Sequence, residues 1–162
     1  MDATIAVITV SDRSSRGERE DVSGPTAVQG LRASGFDASL VSTVADDIPA
    51  IRDAVREAAA GADVVVTTGG TGLSPRDVTP EAMEGLLDAE VPGIADALRR
   101  HGADRGVATA VLSRGRSGIL TLGSHRCLVV NVPGSTGGVR DALEVLVPLI
   151  GHVADQLRGG DH

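Results

Sequence analysis

At 162 residues, with 41% hydrophobic and 23% charged content, the chain has the size at which one hydrophobic core is the norm. A formal net charge of -7 and a pI near 5.0 exclude a general binder of nucleic-acid backbones, which needs a basic face. All 15 basic residues are arginine, so a P-loop NTPase with its lysine and a Schiff-base enzyme are excluded as well.

In chain order, the first predicted element is a strand over residues 5–10, an apolar run. It is too short for a signal peptide and lacks the basic flank. No apolar run approaches the roughly 18 residues of a membrane span, so no membrane partner is expected. Residues 37–44 read as a second strand. Ile48, Ile51, Val55, Ala58 and Ala59 then recur at near-helical spacing, opposite Arg52, Asp53, Arg56 and Glu57. Residues 64–68 and 128–132 are two further unbroken runs. Three such runs without polar alternation predict strands covered on both faces, hence an α/β fold with a mostly parallel sheet and helices on either side.

Thr79-Pro80 marks a helix start, with the helix running to about Ala89. A further helix starts at Pro92 and ends near Gly102. Residues 119–122 form a shorter strand, in a hairpin. Over residues 139–157 a broad apolar stripe interrupted by Pro148 predicts one kinked helix, or two. Within it residues 145–150 are apolar almost all round, which means deep burial or an interface. One domain is expected over residues 1–157, with residues 158–162 frayed. The single cysteine, Cys127, sits in an apolar run and reads as a buried, inert thiol in a reducing cytoplasm. The four histidines are scattered without ligand spacing, which speaks against a transition-metal site.

Each of the three buried strands runs into a polar turn: Ser11-Asp12-Arg13-Ser14-Ser15-Arg16-Gly17, Gly69-Gly70-Thr71-Gly72, and Pro133-Gly134-Ser135-Thr136-Gly137. In a parallel sheet these turns share the carboxyl edge, where open α/β folds bind ligands. Consecutive glycines let the backbone of residues 69–72 approach an anion and face it with amide hydrogens, so a phosphate is the natural guest. The turn is not a dinucleotide fingerprint, because Pro75 stands where the third glycine belongs. Beyond it, Asp77 either caps the following helix or serves as a metal or pterin ligand. Arg76 is either a phosphate clamp or a solvated charge. Asp46-Asp47 follows the second strand on the same edge, suited to Mg²⁺ or to capping the next helix, with Asp47 the better cap. Ser11 and Asp12 close the first strand. Ser113-Arg114-Gly115 and Asn131-Val132-Pro133-Gly134-Ser135 supply further donors, although Ser135 or Thr136 also suits the cap of the last helix.

Together, Val10-Ser11-Asp12-Arg13, Thr67-Thr68-Gly69-Gly70-Thr71-Gly72, Pro75-Arg76-Asp77-Val78-Thr79-Pro80-Glu81-Ala82, Pro92-Gly93, Leu112-Ser113-Arg114 and Asn131-Val132-Pro133-Gly134-Ser135 closely resemble the MogA and gephyrin G-domain family of molybdenum-cofactor proteins. The resemblance covers about residues 4–157. It implies a three-layer α/β/α molybdopterin-binding fold, usually a homotrimer, and transfer of AMP from Mg-ATP to the terminal phosphate of molybdopterin. A partner protein would then load the product with molybdate. A binding or scaffolding module without catalysis is the alternative on the same fold. The resemblance ties activity to Asp77 and Asp46, and between them these two carboxylates are expected to organise Mg²⁺ and the pterin amino groups. It assigns substrate binding to residues 69–72, with Ser11, Ser113 and Glu90 nearby; Asp12, Ser74, Arg76, Asn131, Pro133 and Gly134 complete the candidate site. Two departures stand out: the segment between Ser113 and Asn131 is longer than the family pattern, and Leu120 stands where many members carry arginine. Phe36 is the only aromatic residue, so a pterin would rest on peptide planes and aliphatic carbons.

Overall fold

The computed structural model describes residues 2–160. Its elements are β1 (Thr4–Val10), the short α1 (Asp12–Ser15), α2 (Ser23–Ala33), β2 (Asp37–Val44), α3 (Ile48–Ala59), β3 (Val64–Thr68), α4 (Thr79–Met83), β4 (Ala89–Glu90), α5 (Pro92–Asp104), a 3₁₀ turn (Ala108–Leu112), β5 (Ser117–Leu122), β6 (His125–Val132) and α6 (Thr136–Leu157). The strands form one sheet in the order β2-β1-β3-β6-β5-β4. β2, β1, β3 and β6 are parallel, whereas β5 runs antiparallel to both β6 and β4.

Strand alternation divides the core in two. Ile5, Val7, Val64, Val66, Leu128 and Val130 meet α2, α5 and α6 on one face. Ala6, Ile8, Val65, Cys127 and Val129 meet α3 and α4 on the other. Both faces are covered, which is why the three runs lack polar alternation. The expected three-layer arrangement is present. Cys127 is buried as expected, and burial pushes its thiol up to about 12.

Three details differ from the sequence reading, and α6 resolves an alternative that it left open. α4 stops at Met83 instead of running on to about Ala89: Glu84 is extended, Gly85 has φ 74°, and the backbone of Asp88 donates to Ile119 O at 2.7 Å. Pairing with β5 thus outcompetes helix propagation through a glycine. α2 has no counterpart in the sequence reading, because Gly24, Pro25 and Gly30 obscure its pattern. Those glycines serve packing, since a Cβ on Gly24 would lie 2.3 Å from Thr9 Oγ1 and one on Gly30 2.4 Å from Leu143 Cδ1. α6 is a single helix containing Pro148. Arg158 is held and not frayed, as its Nη2 donates to Asp63 Oδ2 at 2.7 Å and to Asp2 O at 2.6 Å. The rest of the expected frayed tail, Asp161 and His162, lies outside the described residues.

The candidate site's position follows from strand order. β1 is flanked by β2 on one side and β3 on the other, so the chain reverses its direction of progress across the sheet there. Such a switch point leaves a crevice at the carboxyl ends of the strands.

Candidate functional site

The loops after β1, β3 and β6 touch at that edge. Gly69 N donates to Val132 O at 3.1 Å, and Thr68 Oγ1 donates to Pro133 O at 2.7 Å. Gly69 and Gly70 have φ of 106° and 69°, the left-handed region that favours glycine. A Cβ on Gly69 would lie 2.2 Å from Val10 O, and one on Gly134 would lie 3.2 Å from Gly69 Cα. Side chains are therefore excluded where the three loops meet. Thr79 fastens the turn from below, its Oγ1 donating to Gly69 O at 3.0 Å and its N to Gly70 O at 3.1 Å.

Two carboxylates flank this turn. A Cβ on Gly70 would be 3.0 Å from Asp46 Oδ1, and one on Gly72 would be 2.8 Å from Asp77 Oδ2. Asp77 does not cap α4, whose N-cap is Val78 without a side-chain bond; its Oδ2 accepts from Ser74 N at 3.2 Å. Asp46 and Asp12 clasp each other through the backbone, Asp12 N donating to Asp46 Oδ2 and Asp46 N to Asp12 Oδ1, both at 3.0 Å. Burial pushes the Asp46 carboxyl above its ordinary range, aided by the charges of Asp12 and Asp77 against the Asp12 backbone bond. Asp12 goes the other way, held low by Arg76, whose Nε and Nη2 reach its Oδ2 at 2.9 and 2.8 Å.

Beside the turn opens a cavity of about 710 Å³, walled by α5, the 3₁₀ turn and the start of α6. Gly70, Thr71, Gly72 and Asp77 line it from the β3 loop, Ser113 from the segment before β5, and Asn131, Pro133 and Gly134 from β6 and its loop. These eight expected residues are thus brought together. Gly69, Asp46 and Asp12 do not line it, although Asp46 lies against Gly70 of the same turn and Asp12 is bonded to Asp46.

The other expected residues are occupied elsewhere. Ser11 Oγ accepts from Ser14 N at 3.2 Å as the cap of α1. Ser74 is exposed and accepts from Arg76 N at 3.4 Å. Arg76 is paired with Asp12 and does not line the cavity. Glu90, expected in the pocket, lies outside its lining on β4, where Arg116 pairs with it. The Asn131 side chain is committed to the framework, Nδ2 donating to Thr67 Oγ1 at 2.9 Å and Oδ1 accepting from Arg116 N at 3.0 Å. Asp47 and Ser135 are the caps of α3 and α6. Leu120 is buried in the core beside α3 and α4, and the hairpin tip at Gly123 and Ser124 lies at the amino end of β6, the edge opposite the site. Leu120 does not line the cavity, and of the segment between Ser113 and Asn131 only Gly115 does.

The apolar wall was not legible beforehand. Leu98, Val107 and Leu112 contribute to it, and Leu73, 65% exposed, stands at its rim. The short run 107–112 carries no helical period that would have marked it. Phe36 is buried in the core, and the lining holds no aromatic ring. Among the described residues no group of three or more His, Cys, Asp or Glu could hold a metal by itself. Asp46 and Asp77, which lie against Gly70 and Gly72 of one turn and feel each other's charge, are the residues that would hold Mg²⁺, which is commonly bound through one or two carboxylates.

Comparison with known proteins gives the family. The family model described as "Probable molybdopterin binding domain" matches residues 6–152. A molybdenum cofactor biosynthesis bifunctional protein of Synechococcus elongatus is 40% identical over 157 residues; the match covers 96% of this chain and 48% of that protein, so the chain spans about half its length. A molybdopterin adenylyltransferase of Pyrococcus furiosus is 38% identical over 154 residues, covering 94% of this chain and 89% of its own. The crystal structure of a molybdopterin biosynthesis protein from Mycobacterium abscessus superposes with a TM-score of 0.88 at 44% identity, covering 96% of each chain.

Proposed function

The chain belongs to the molybdopterin-binding domain family, and we propose that it is a molybdopterin adenylyltransferase of molybdenum-cofactor biosynthesis, transferring AMP from Mg-ATP to the terminal phosphate of molybdopterin. The observation that carries this reading is the pair of carboxylates, Asp46 and Asp77, set against Gly70 and Gly72 of one turn that opens on the cavity.

In the proposed reaction a phosphate oxygen of molybdopterin attacks the α-phosphorus of ATP, the bond from that phosphorus to the bridging oxygen breaks, and pyrophosphate leaves. The ionised phosphate is already a nucleophile, so no covalent enzyme intermediate is needed. The chain's task is alignment and charge neutralisation, with reacting atoms held roughly 3 to 3.5 Å apart. The amides of Gly70, Thr71 and Gly72 donate to no protein acceptor among the described residues and are left for phosphate oxygens. Asp77 orients polar hydrogens of the substrate at the cavity wall. Asp46, with Asp77, would hold Mg²⁺, which when bound neutralises phosphate charge. The apolar wall of Leu98, Val107 and Leu112 receives the flat pterin without an aromatic ring.

Incubation with molybdopterin, ATP and Mg²⁺ tests the reading. Pyrophosphate released in step with adenylylated molybdopterin is expected; molybdopterin bound with ATP left intact would instead mark a binding module. The same reading makes the protein a cytoplasmic homotrimer that passes its product to the molybdate-inserting protein. No described helix is long and apolar enough to cross a membrane. A light-scattering mass of three times the 16.4 kDa chain is expected, and a monomer mass would remove the trimer.

A further inference from the structure

We infer that Arg114 is a positioning residue that aims the amides of the β3 loop into the cavity by holding that loop's carbonyls from behind. The inference rests on the reading of this loop as a phosphate site and adds the residue that sets its orientation.

In a trans peptide the carbonyl of one residue and the N–H of the next point in opposite directions. The protein contains no cis peptide bond among its described residues. Four successive carbonyls of the loop are held by the protein: Gly69 O and Gly70 O by Thr79, then Thr71 O by Arg114 N at 2.8 Å and Gly72 O by Arg114 Nε at 2.9 Å. The amides of Gly70, Thr71, Gly72 and Leu73 are consequently turned the other way. All four residues line the cavity, and none of the four amides donates to a protein acceptor among the described residues. Thr79 orients the first two and Arg114 the last two.

Arg114 also ties the amide row to the carboxylate beside it. Its Nη2 donates to Asp77 O at 2.8 Å, and its Nη1 pairs with Glu81 on α4. One planar guanidinium thus bridges Gly72, Asp77 and α4 in fixed relation, which a lysine ammonium cannot do because it lacks the rigid fork. The side chain of Arg114 does not line the cavity, although its neighbours Ser113 and Gly115 do. Arg99 holds the segment from its other side, its Nη1 donating to Ser113 O and Gly115 O at 3.1 and 3.0 Å. Arg114 therefore acts through the loop without touching the ligand.

Inorganic pyrophosphate titrated into ¹⁵N-labelled protein tests this without turnover. In the native protein the amide signals of Gly70, Thr71, Gly72 and Leu73 are expected to move. In Arg114→Ala, and less severely in Arg114→Lys, that of Leu73, whose peptide carbonyl Gly72 O loses Nε, starts from an altered position and pyrophosphate affinity falls on the order of tenfold or more. Both variants keep the backbone bond to Thr71, and Arg114→Lys also retains the charge, so it serves if the alanine variant does not fold. Arg52→Ala is the control: it removes another arginine from α4 carbonyls, those of Ala82 and Glu84, and should cost stability while leaving pyrophosphate affinity intact. Native affinity in both Arg114 variants, an equal loss in Arg52→Ala, or loop amides in the native protein that ignore pyrophosphate would each overturn the inference. Pyrophosphate bound at the loop without any adenylylation would overturn the proposed reaction and leave the role of Arg114 standing.

Discussion

Asp12 and Asp46 show how two like residues, bonded to each other's backbone, are pushed apart in character. Asp12 is satisfied by Arg76, so its stabilising contribution is present above the ordinary carboxyl value of 3.8 and is lost as pH falls through its lowered folded value. Asp46 is half-buried beside Asp12 and Asp77, and its folded value is raised. The stability linked to its protonation is full at acid pH and lost as pH rises through that value. Asp46→Asn retains an oxygen for the Asp12 amide and removes the charge. At neutral pH it should raise folding stability while abolishing adenylylation, the trade expected of a group retained for function. Urea denaturation against pH checks the sign: the advantage should shrink as pH falls through the raised value of Asp46 toward the ordinary 3.8. A variant less stable than the native chain at pH 7 would contradict the assigned crowding. At this scale, short-range roles were legible. Asp47 and Ser135 cap the helices that their types and places implied, whereas the commitment of Arg76 to Asp12 and of Glu90 to Arg116 depends on partners 64 and 26 positions away.

Among elements, continuous apolar runs were the easiest to read, and β1, β3 and β6 fall where the runs do because both faces are covered. Elements shaped by their neighbours were harder. α2 carries glycines demanded by Thr9 and Leu143, and α4 ends early because β5 recruits residues 88–91 into pairing, with Asp88 N on Ile119 O and Val91 N on Ser117 O at 2.8 Å. Pro148 sits inside α6 without splitting it. A proline there deprives the carbonyl of Glu144 of its helical donor, and the side chain is exposed, so little packing offsets the loss. Pro148→Ala should therefore stabilise the chain by about 1 kcal/mol or more, seen as a higher urea midpoint at constant slope, with turnover unchanged. A lower midpoint would mean that the proline ring itself is required, as at an interface around residues 145–150.

On the scale of the whole molecule, the site is a product of topology. Strand order β2-β1-β3-β6 brings loops separated by some 60 residues each to one rim, where Gly69 touches Val10 and Gly134. That convergence was foreseeable from three runs each ending in a glycine- or serine-rich turn. The cavity's far wall was not, because it is made by the packing of the 3₁₀ turn on α5 and of α5 on α6, which leaves no local period in residues 107–112. The central claim is that Asp77 and the glycine turn act on one phosphorylated guest. Its most direct test is Asp77→Asn, comparing the rate of adenylylation with the equilibrium affinity for molybdopterin. Turnover should fall by about a hundredfold or more while affinity changes by only a few-fold. An adenylylation rate equal to that of the native protein would contradict the account.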